Sequence, residues 1–193
     1  MGVHRYGLLG IGHDNEMLGP TDPVRINPDF WVNFMWKRVM GSRVFNATAG
    51  AGTALDPSVR AYAHCGVPPA APSNLPDAVR SADTPTTSPM GIVLININVT
   101  ATQKVQLGGG RGSFAARGAA AAPMMAWTLS MGADGVFGEL SLLNGVPLQR
   151  SIADGKAIDA IPVPGTDLAG TGGIVELPPF SVTFVVTECP KQE

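Results

Sequence analysis

Residues 27–43 constrain the fold more than any other part of the chain, because they specify a long helix with few polar positions. Asn27 can cap the helix, Pro28 suits its first position, and Gly41 ends it. The charged residues that match the helix dipole are Asp29, Lys37 and Arg38. The other side chains leave almost no polar face, so we expect this helix to lie between other elements of a large protein.

Composition indicates that the rest of the chain is mostly β. With 193 residues, it is long enough for one domain, or for one domain and a piece of another. Charged residues make up only 15%, whereas 24 Gly and 17 Pro suit short strands joined by many turns. The net charge of −2 gives no reason to expect nucleic acid as a partner. No apolar run reaches the roughly 18 residues of a membrane span, which leaves peripheral membrane association open.

Alternating apolar and polar residues predict half-buried strands at 59–64 and 93–99. Further strands are predicted at 126–131, 138–143, 173–177 and 181–187. Asn144 and Gly145 form a dipeptide that suits a tight turn after one of them. Two low-complexity tracts, 66–90 and 108–123, cannot bury enough side chain to order themselves, and we expect them to be surface loops.

Seven short motifs resemble, in order and spacing, the C-terminal third of heparanase and the plant heparanase-like proteins, glycoside hydrolase family 79. They are YGLL at 6–9, PDFW at 28–31, WKRVMG at 36–41, VRAYAHC at 59–65, GIVLINI at 91–97, LLNGVPL at 142–148 and LPPFSVTFVV at 177–186. Each motif alone is weak. Their shared order over nearly the whole chain, apart from the two low-complexity tracts, makes the resemblance specific.

The resemblance implies a fragment of a larger enzyme. Residues 1–43 would be the last strand and helix of a (β/α)8 barrel, and residues 44–193 a C-terminal β-sandwich that braces it. Such a protein would be secreted, extracellular, or lysosomal or vacuolar, with its signal peptide upstream of Met1. An incomplete gene model or a degenerate, inactive copy is an alternative.

Cysteine and asparagine positions fit a secretory origin. From the residues alone, Cys65 and Cys189 could equally be two buried thiols of a cytosolic protein. The resemblance implies that they form a disulfide. Asn46 and Asn98 each begin an N-glycosylation sequon, a triplet that also arises by chance.

The chain offers no plausible pair of catalytic carboxylates. A retaining glycosidase needs two of them, ~5 to 5.5 Å apart. The glutamates, none of which belongs to a motif that pairs it with another, are Glu16, Glu139, Glu176, Glu188 and Glu193. The resemblance places both catalytic glutamates upstream of Met1, so we expect no catalytic residue and no activity in this chain.

One substrate contact is implied by the resemblance. Tyr6 matches a tyrosine whose phenol helps to bind the carboxylate of a uronic acid, since a neutral phenol can donate a charge-assisted hydrogen bond. A packed, structural tyrosine is the alternative. The implied partners are a glucuronic-acid-containing polysaccharide or proteoglycan glycan, bound through the full-length enzyme, and the upstream barrel of the same protein.

No metal or other cofactor is expected. The histidines, His4, His13 and His64, lack metal-ligand spacing with either cysteine, and residues 108–112 lack the Lys-Ser/Thr end of a phosphate loop.

A different class of function is a stand-alone secreted β-sandwich that binds carbohydrate or protein. Such sugar-binding surfaces need exposed Trp or Tyr side chains. Trp31 and Trp36 are expected on the buried helix, which leaves only Trp127 and Tyr62 for a platform and favours the enzyme fragment.

Overall fold

The computed structural model describes residues 9–10, 24–26, 28–45, 55–66, 89–107, 124–133, 135, 140–148, 151–152 and 161–189. In chain order the elements are β1 (Leu9–Gly10), β2 (Val24–Ile26), α1 (Pro28–Val39), β3 (Arg43–Phe45), β4 (Val59–Cys65), β5 (Pro89–Asn96), β6 (Gln103–Gln106), β7 (Met125–Met131), β8 (Ser141–Leu143), β9 (Val146–Pro147), β10 (Ser151–Ile152), β11 (Thr166–Asp167), a 3-10 turn (Ala169–Thr171), β12 (Ile174–Leu177) and β13 (Ser181–Glu188).

A large antiparallel sheet organises the described residues. Its strand order is β3-β4-β5-β13-β7-β8-β9, and β11 also pairs with β7. The last strand in sequence, β13, lies at the centre, with Phe184 opposite Val93 on β5 and opposite Trp127 on β7. Strands distant in sequence therefore meet in the middle of the sheet.

The alternation of β4 is seen as predicted, whereas β5 differs. In β4, Val59 and Ala63 are buried while Arg60 and Tyr62 are exposed. In β5 nearly every side chain is buried, because both faces of this central strand are covered. The predicted strand at 93–99 starts earlier and ends at Asn96, so the residues from 97 to 99 lie beyond it.

Helix α1 covers one face of the large sheet. Its buried side chains, Trp31, Phe34, Met35 and Val39, contact sheet residues such as Val93 and Trp127. The remaining buried members of this core are Ile26, Met40, Leu129, Leu143, Leu148, Ile161, Val163, Phe184 and Val186. Full burial of a large apolar side chain is worth roughly 1.5–3 kcal/mol, so this core is a major source of stability.

A second, two-stranded sheet covers the opposite face. Strands β6 and β12 pair antiparallel and bury Val105, Val175 and Leu177 against the large sheet. The other buried members of this second core are Val59, Ala63, Cys65, Met90, Ile92, Leu94, Met124, Ala126, Leu168, Val185 and Cys189. The described residues thus form a mostly β structure with two packed antiparallel sheets, which agrees with the predicted β-sandwich.

The bounds of α1 agree with the prediction. The helix spans Pro28–Val39, with Asp29 in the first turn and Lys37 in the last; the predicted cap, Asn27, lies outside the described residues. One stripe of the helix packs on the sheet of this same chain, while Asn33 and Trp36 on another side are exposed. That this exposed side lies against further elements of a larger protein stays a prediction.

The predicted Asn144-Gly145 turn joins β8 to β9. Both residues have positive φ, 49° and 77°, as a tight hairpin of this kind requires. The Asn144 side chain also accepts a hydrogen bond from the Thr128 backbone N–H at 2.8 Å, which fixes the turn to the neighbouring β7.

Strand β2, which precedes α1, pairs with β1 and also with β10, which lies far along the chain. The assignment of residues 1–43 to a barrel stays a prediction. Pro89 and Met90, within the tract predicted as loop, belong to β5; residues 67–88 and 108–123 lie outside the described part. In the described residues no helix has the length and apolar character needed to cross a membrane.

The contact between α1 and the sheet is tested by Gly91→Ala. A Cβ at Gly91 would collide with the carbonyl oxygen of Val39, which is backbone and cannot move aside without shifting the helix. We expect a loss of about 2 to 3 kcal/mol in the free energy of unfolding, measured by denaturant titration. The matched control is Gly170→Ala, where an added Cβ meets no atom within 4 Å and stability should be unchanged or slightly raised. Equal effects of both changes would contradict the close approach.

Candidate functional site

The described carboxylates occupy structural or solvent-exposed positions. Glu176 on β12 forms a 2.8 Å ion pair with Lys104 on β6, and both side chains are exposed. Hydrogen bonding to Glu176 and its negative charge raise the pKa of Lys104. Glu188 ends β13 at the edge of the second core. The other glutamates, Glu16, Glu139 and Glu193, lie outside the described residues.

Asp56 is a turn-forming carboxylate. The backbone N–H of Ser58 donates to its Oδ1 at 2.8 Å, and the Ser58 hydroxyl also donates. These hydrogen bonds hold the pKa of Asp56 below its usual value. A carboxyl that is ionised at neutral pH is a poor proton donor, so Asp56 is not suited to the acid role of a glycosidase.

Metal chemistry finds no support in the described residues, where no group of three or more His, Cys, Asp or Glu side chains could hold an ion. His64 has a structural role instead. Its Nδ1 lies 2.8 Å from the carbonyl oxygen of Gly41, which can only accept, so Nδ1 carries the proton. This bond links β4 to the segment after α1.

Cys65 and Cys189 form a disulfide, the pair that the resemblance implies. Their Cα atoms are 5.8 Å apart, although 124 positions separate them in sequence. Both are buried in the second core, where they flank β5 from its two sides. Arg43 Nη2 lies 3.8 Å from Cys189 Sγ, near the same end of the sheet.

Of the other predicted site residues, the structure describes only Asn98. Tyr6 and Asn46 lie outside the described residues. Asn98 is half-buried in a turn just after β5, and its Oδ1 accepts hydrogen bonds from Thr100 and Ala101.

The placement of the tryptophans corrects the sequence analysis. Trp127, one of the two side chains left for a platform, is fully buried, and its Nε1 donates to the carbonyl oxygen of Val163 at 3.1 Å. Trp36, expected to be buried, is 37% exposed. The signal was present in the sequence: Trp31, Phe34 and Met35 follow the i, i+3, i+4 spacing of a buried stripe, and Trp36 falls outside it.

Trp36, Tyr62 and His64 form a row of rings on the helix side of β4, which we call the aromatic strip. The Trp36 and His64 rings meet edge to face with centroids 5.5 Å apart. Tyr62 is two residues from His64 on the same strand, hence on the same face, and is 47% exposed. Exposed Val44 on β3 lies opposite His64 and extends the apolar surface.

Such a strip can present flat apolar faces to a ligand. Indole and phenol rings carry a large apolar area and a polar edge, a combination that suits the alternating C–H and hydroxyl surfaces of a sugar or a protein surface. The aromatic strip therefore offers exposed rings to a partner, but it contains no carboxylate.

Comparison with known proteins identifies no family. No protein-family model matches the chain, and no curated protein matches it.

The disulfide gives a direct test of this part of the structure. For protein made in an oxidising compartment, we expect non-reducing peptide mapping to find one Cys65–Cys189 peptide and no free thiol. Replacing both cysteines by Ala should lower the free energy of unfolding by up to ~4.7 kcal/mol, because the bond closes a long loop. Two alkylatable thiols in such protein would contradict the pairing.

Proposed function

We propose that this chain is the C-terminal part of a heparanase-like glycoside hydrolase, secreted or lysosomal, that acts on glucuronic-acid-containing glycans. The catalytic glutamates would belong to a barrel that precedes this chain, and the sandwich would brace that barrel. The main support is the Cys65–Cys189 disulfide. The resemblance implies this one pairing across most of the chain, and the two residues lie at bonding distance.

The exposed side of α1 also supports the proposal. In this arrangement α1 is the last helix of the barrel, and its neighbours there would cover the ring of Trp36. Trp36 is 37% exposed in this chain, and a second packing partner would remove this remaining apolar surface from water. The sandwich side of α1 is already covered by the sheet.

The basic residues favour a weakly sulfated glucuronide over heparan sulfate. A dense polyanion calls for clustered, available cations. The one tight basic group in the sequence is Lys37, Arg38 and Arg43. Two of these already have partners in the protein: the Arg38 guanidinium lies 3.5 Å from the centroid of the Phe34 ring, and Arg43 contacts Cys189.

Activity measurements test the proposal. We expect the 193-residue chain to release no chromogenic β-glucuronide above background, and an extended protein that includes the upstream barrel to hydrolyse it with retention. Positioned acid and base groups contribute about 10²- to 10⁴-fold each, and the carboxylates that the structure describes are not placed to supply them. In the extended protein, Tyr6→Phe should raise KM for glucuronides more than for neutral glucosides.

Two controls show whether the active site lies upstream of this chain or within it, and whether Tyr6 contacts the substrate. Turnover by the 193-residue chain that disappears in Glu139→Gln or Glu176→Gln would show that the catalytic groups lie within it. Equal losses on glucuronides and glucosides in Tyr6→Phe would reduce Tyr6 to a packing role.

A second candidate is a stand-alone module that binds carbohydrate or protein through the aromatic strip. The observation in its favour is the exposure of Trp36 together with Tyr62, since the sequence analysis placed Trp36 on a buried helix. In this function the strip itself would stack on sugar rings, and no barrel would cover it.

Binding experiments distinguish the two candidates. If the module function is right, the 193-residue chain binds glucuronic-acid oligosaccharides in calorimetry, and Trp36→Ala or Tyr62→Ala weakens binding about tenfold, the effect of ~1.4 kcal/mol. Phe180→Ala is the matched control, since this exposed ring lies outside the strip. The absence of binding by the unchanged chain would exclude a module that binds glucuronic-acid glycans and leave the glycosidase proposal unaffected.

A further inference from the structure

The turn that contains Asn98 presents its side-chain amide in a defined geometry. Oδ1 of Asn98 accepts hydrogen bonds from the Thr100 backbone N–H at 2.9 Å, the Thr100 hydroxyl at 3.1 Å and the Ala101 N–H at 2.9 Å. In the part of the chain that the structure describes, no hydrogen bond uses its Nδ2. The threonine of the same sequon therefore helps to fix the Asn98 side-chain oxygen, and no described residue forms a hydrogen bond with the Asn98 nitrogen.

A second turn is held against this one by Asn96, at the end of β5. Asn96 is almost completely buried, and its Nδ2 lies within hydrogen-bond distance of three carbonyl oxygens: Ala101 at 2.9 Å, Leu177 at 3.1 Å and Pro178 at 2.9 Å. One acceptor follows Asn98, one is the last residue of β12, and one lies between β12 and β13. The amide of Asn96 therefore fixes the distance between the two turns.

Phe180 is the residue that this arrangement brings to Asn98. Its backbone N–H donates to the carbonyl oxygen of Asn98 at 2.7 Å. The Phe180 ring is 45% exposed, and φ is +46°, a conformation that costs free energy in any residue with a Cβ. Val99, within the sequon, is 56% exposed. The Asn98 amide nitrogen, which bonds to no described residue, thus belongs to a turn that also carries exposed apolar side chains.

We propose that Asn98 carries an N-linked glycan and that its first N-acetylglucosamine packs on the ring of Phe180. The proposal rests on the secretory route included in the proposed function, and it does not depend on glycosidase activity. The donor is a lipid-linked diphosphate oligosaccharide. Asn98 Nδ2 forms a bond to the anomeric carbon, the sugar–phosphate bond breaks, the lipid diphosphate leaves, and the amide loses one proton.

The hydrogen bonds of the Asn98 turn are compatible with a glycosylated Asn98 side chain. The glycosylated amide stays planar and keeps its carbonyl oxygen, so the hydrogen bonds from Thr100 and Ala101 persist. The C–H face of the sugar matches the negative face of an aromatic ring, and burying the Phe180 ring under it removes apolar surface from water. The strained conformation of Phe180 then has a function, since it holds the ring beside the modified residue.

Occupancy is tested on the 193-residue chain fitted with a signal sequence that directs it into the secretory pathway of a eukaryotic cell. Treatment with peptide-N-glycosidase converts a glycosylated Asn98 to Asp, which peptide mass spectrometry detects. We expect this conversion in the unchanged protein and in Asn46→Gln, and no glycan at this position in Asn98→Gln or Thr100→Ala. An unoccupied Asn98 in the targeted protein overturns the proposal, and because targeting is supplied, this result is independent of the chain's natural location.

The contact with Phe180 is tested by thermal unfolding in the Asn46→Gln background. Protein trimmed to a single N-acetylglucosamine at Asn98 is compared with unglycosylated protein of the same sequence made in an oxidising bacterial compartment. We expect the sugar to raise Tm by about 2 to 4 °C.

The same comparison in Phe180→Ala separates the contact from other effects of the sugar. Because each difference is taken within one sequence, the intrinsic effect of the substitution cancels. We expect the sugar-dependent rise in Tm to fall by more than half in Phe180→Ala and to persist in Phe180→Trp. An equal rise with and without the ring overturns the contact.

Discussion

The contact between α1 and the centre of the large sheet is the interaction on which the rest of the structure depends. The end of the helix reaches β5 at Gly91, where a glycine allows the Val39 carbonyl to approach the strand more closely than any side chain would permit. This approach lets Trp31 and Met35 pack against the sheet and form the first core. It also sets the position of the chain after the helix, where Gly41 accepts the hydrogen bond from His64. The sheet edge that carries the aromatic strip is therefore positioned by the helix.

The central strand, β13, connects this core to the second one. Phe184 and Val186 point towards the helix, whereas Val185 points towards the two-stranded sheet. Each end of the strand is also tied to distant parts of the chain. Just beyond its end, Cys189 bonds to Cys65, and before its start, Asn96 holds the turn that leads into it.

The described surface is distinguished by exposed aromatic rings. Glu176 forms an ion pair and Asp56 forms a turn, while the exposed rings include Trp36, Tyr62 and Phe180. The exposed rings lie in two places. Trp36, on the helix, and Tyr62 belong to the aromatic strip, which suits an upstream barrel or a glycan partner. Phe180 lies beside the Asn98 sequon. The proposed enzyme fragment and the proposed glycan use different sets, so each can be tested without the other.

Local sequence determined the elements, and the tertiary structure decided what each of them covers. The bounds of α1, the alternation of β4, the strands β7, β12 and β13 and the Asn144-Gly145 turn follow from capping, periodicity and turn propensity, which act over a few residues. Strand β6 was missed because Gln103–Gln106 contains a single apolar residue, too little for a periodic signal. The burial of Trp127, the exposure of Trp36 and the contact between Phe180 and Asn98 depend on residues that are far apart in the chain. The burial of a side chain is a property of its neighbours, and only the packing of the sheets and the helix supplies them.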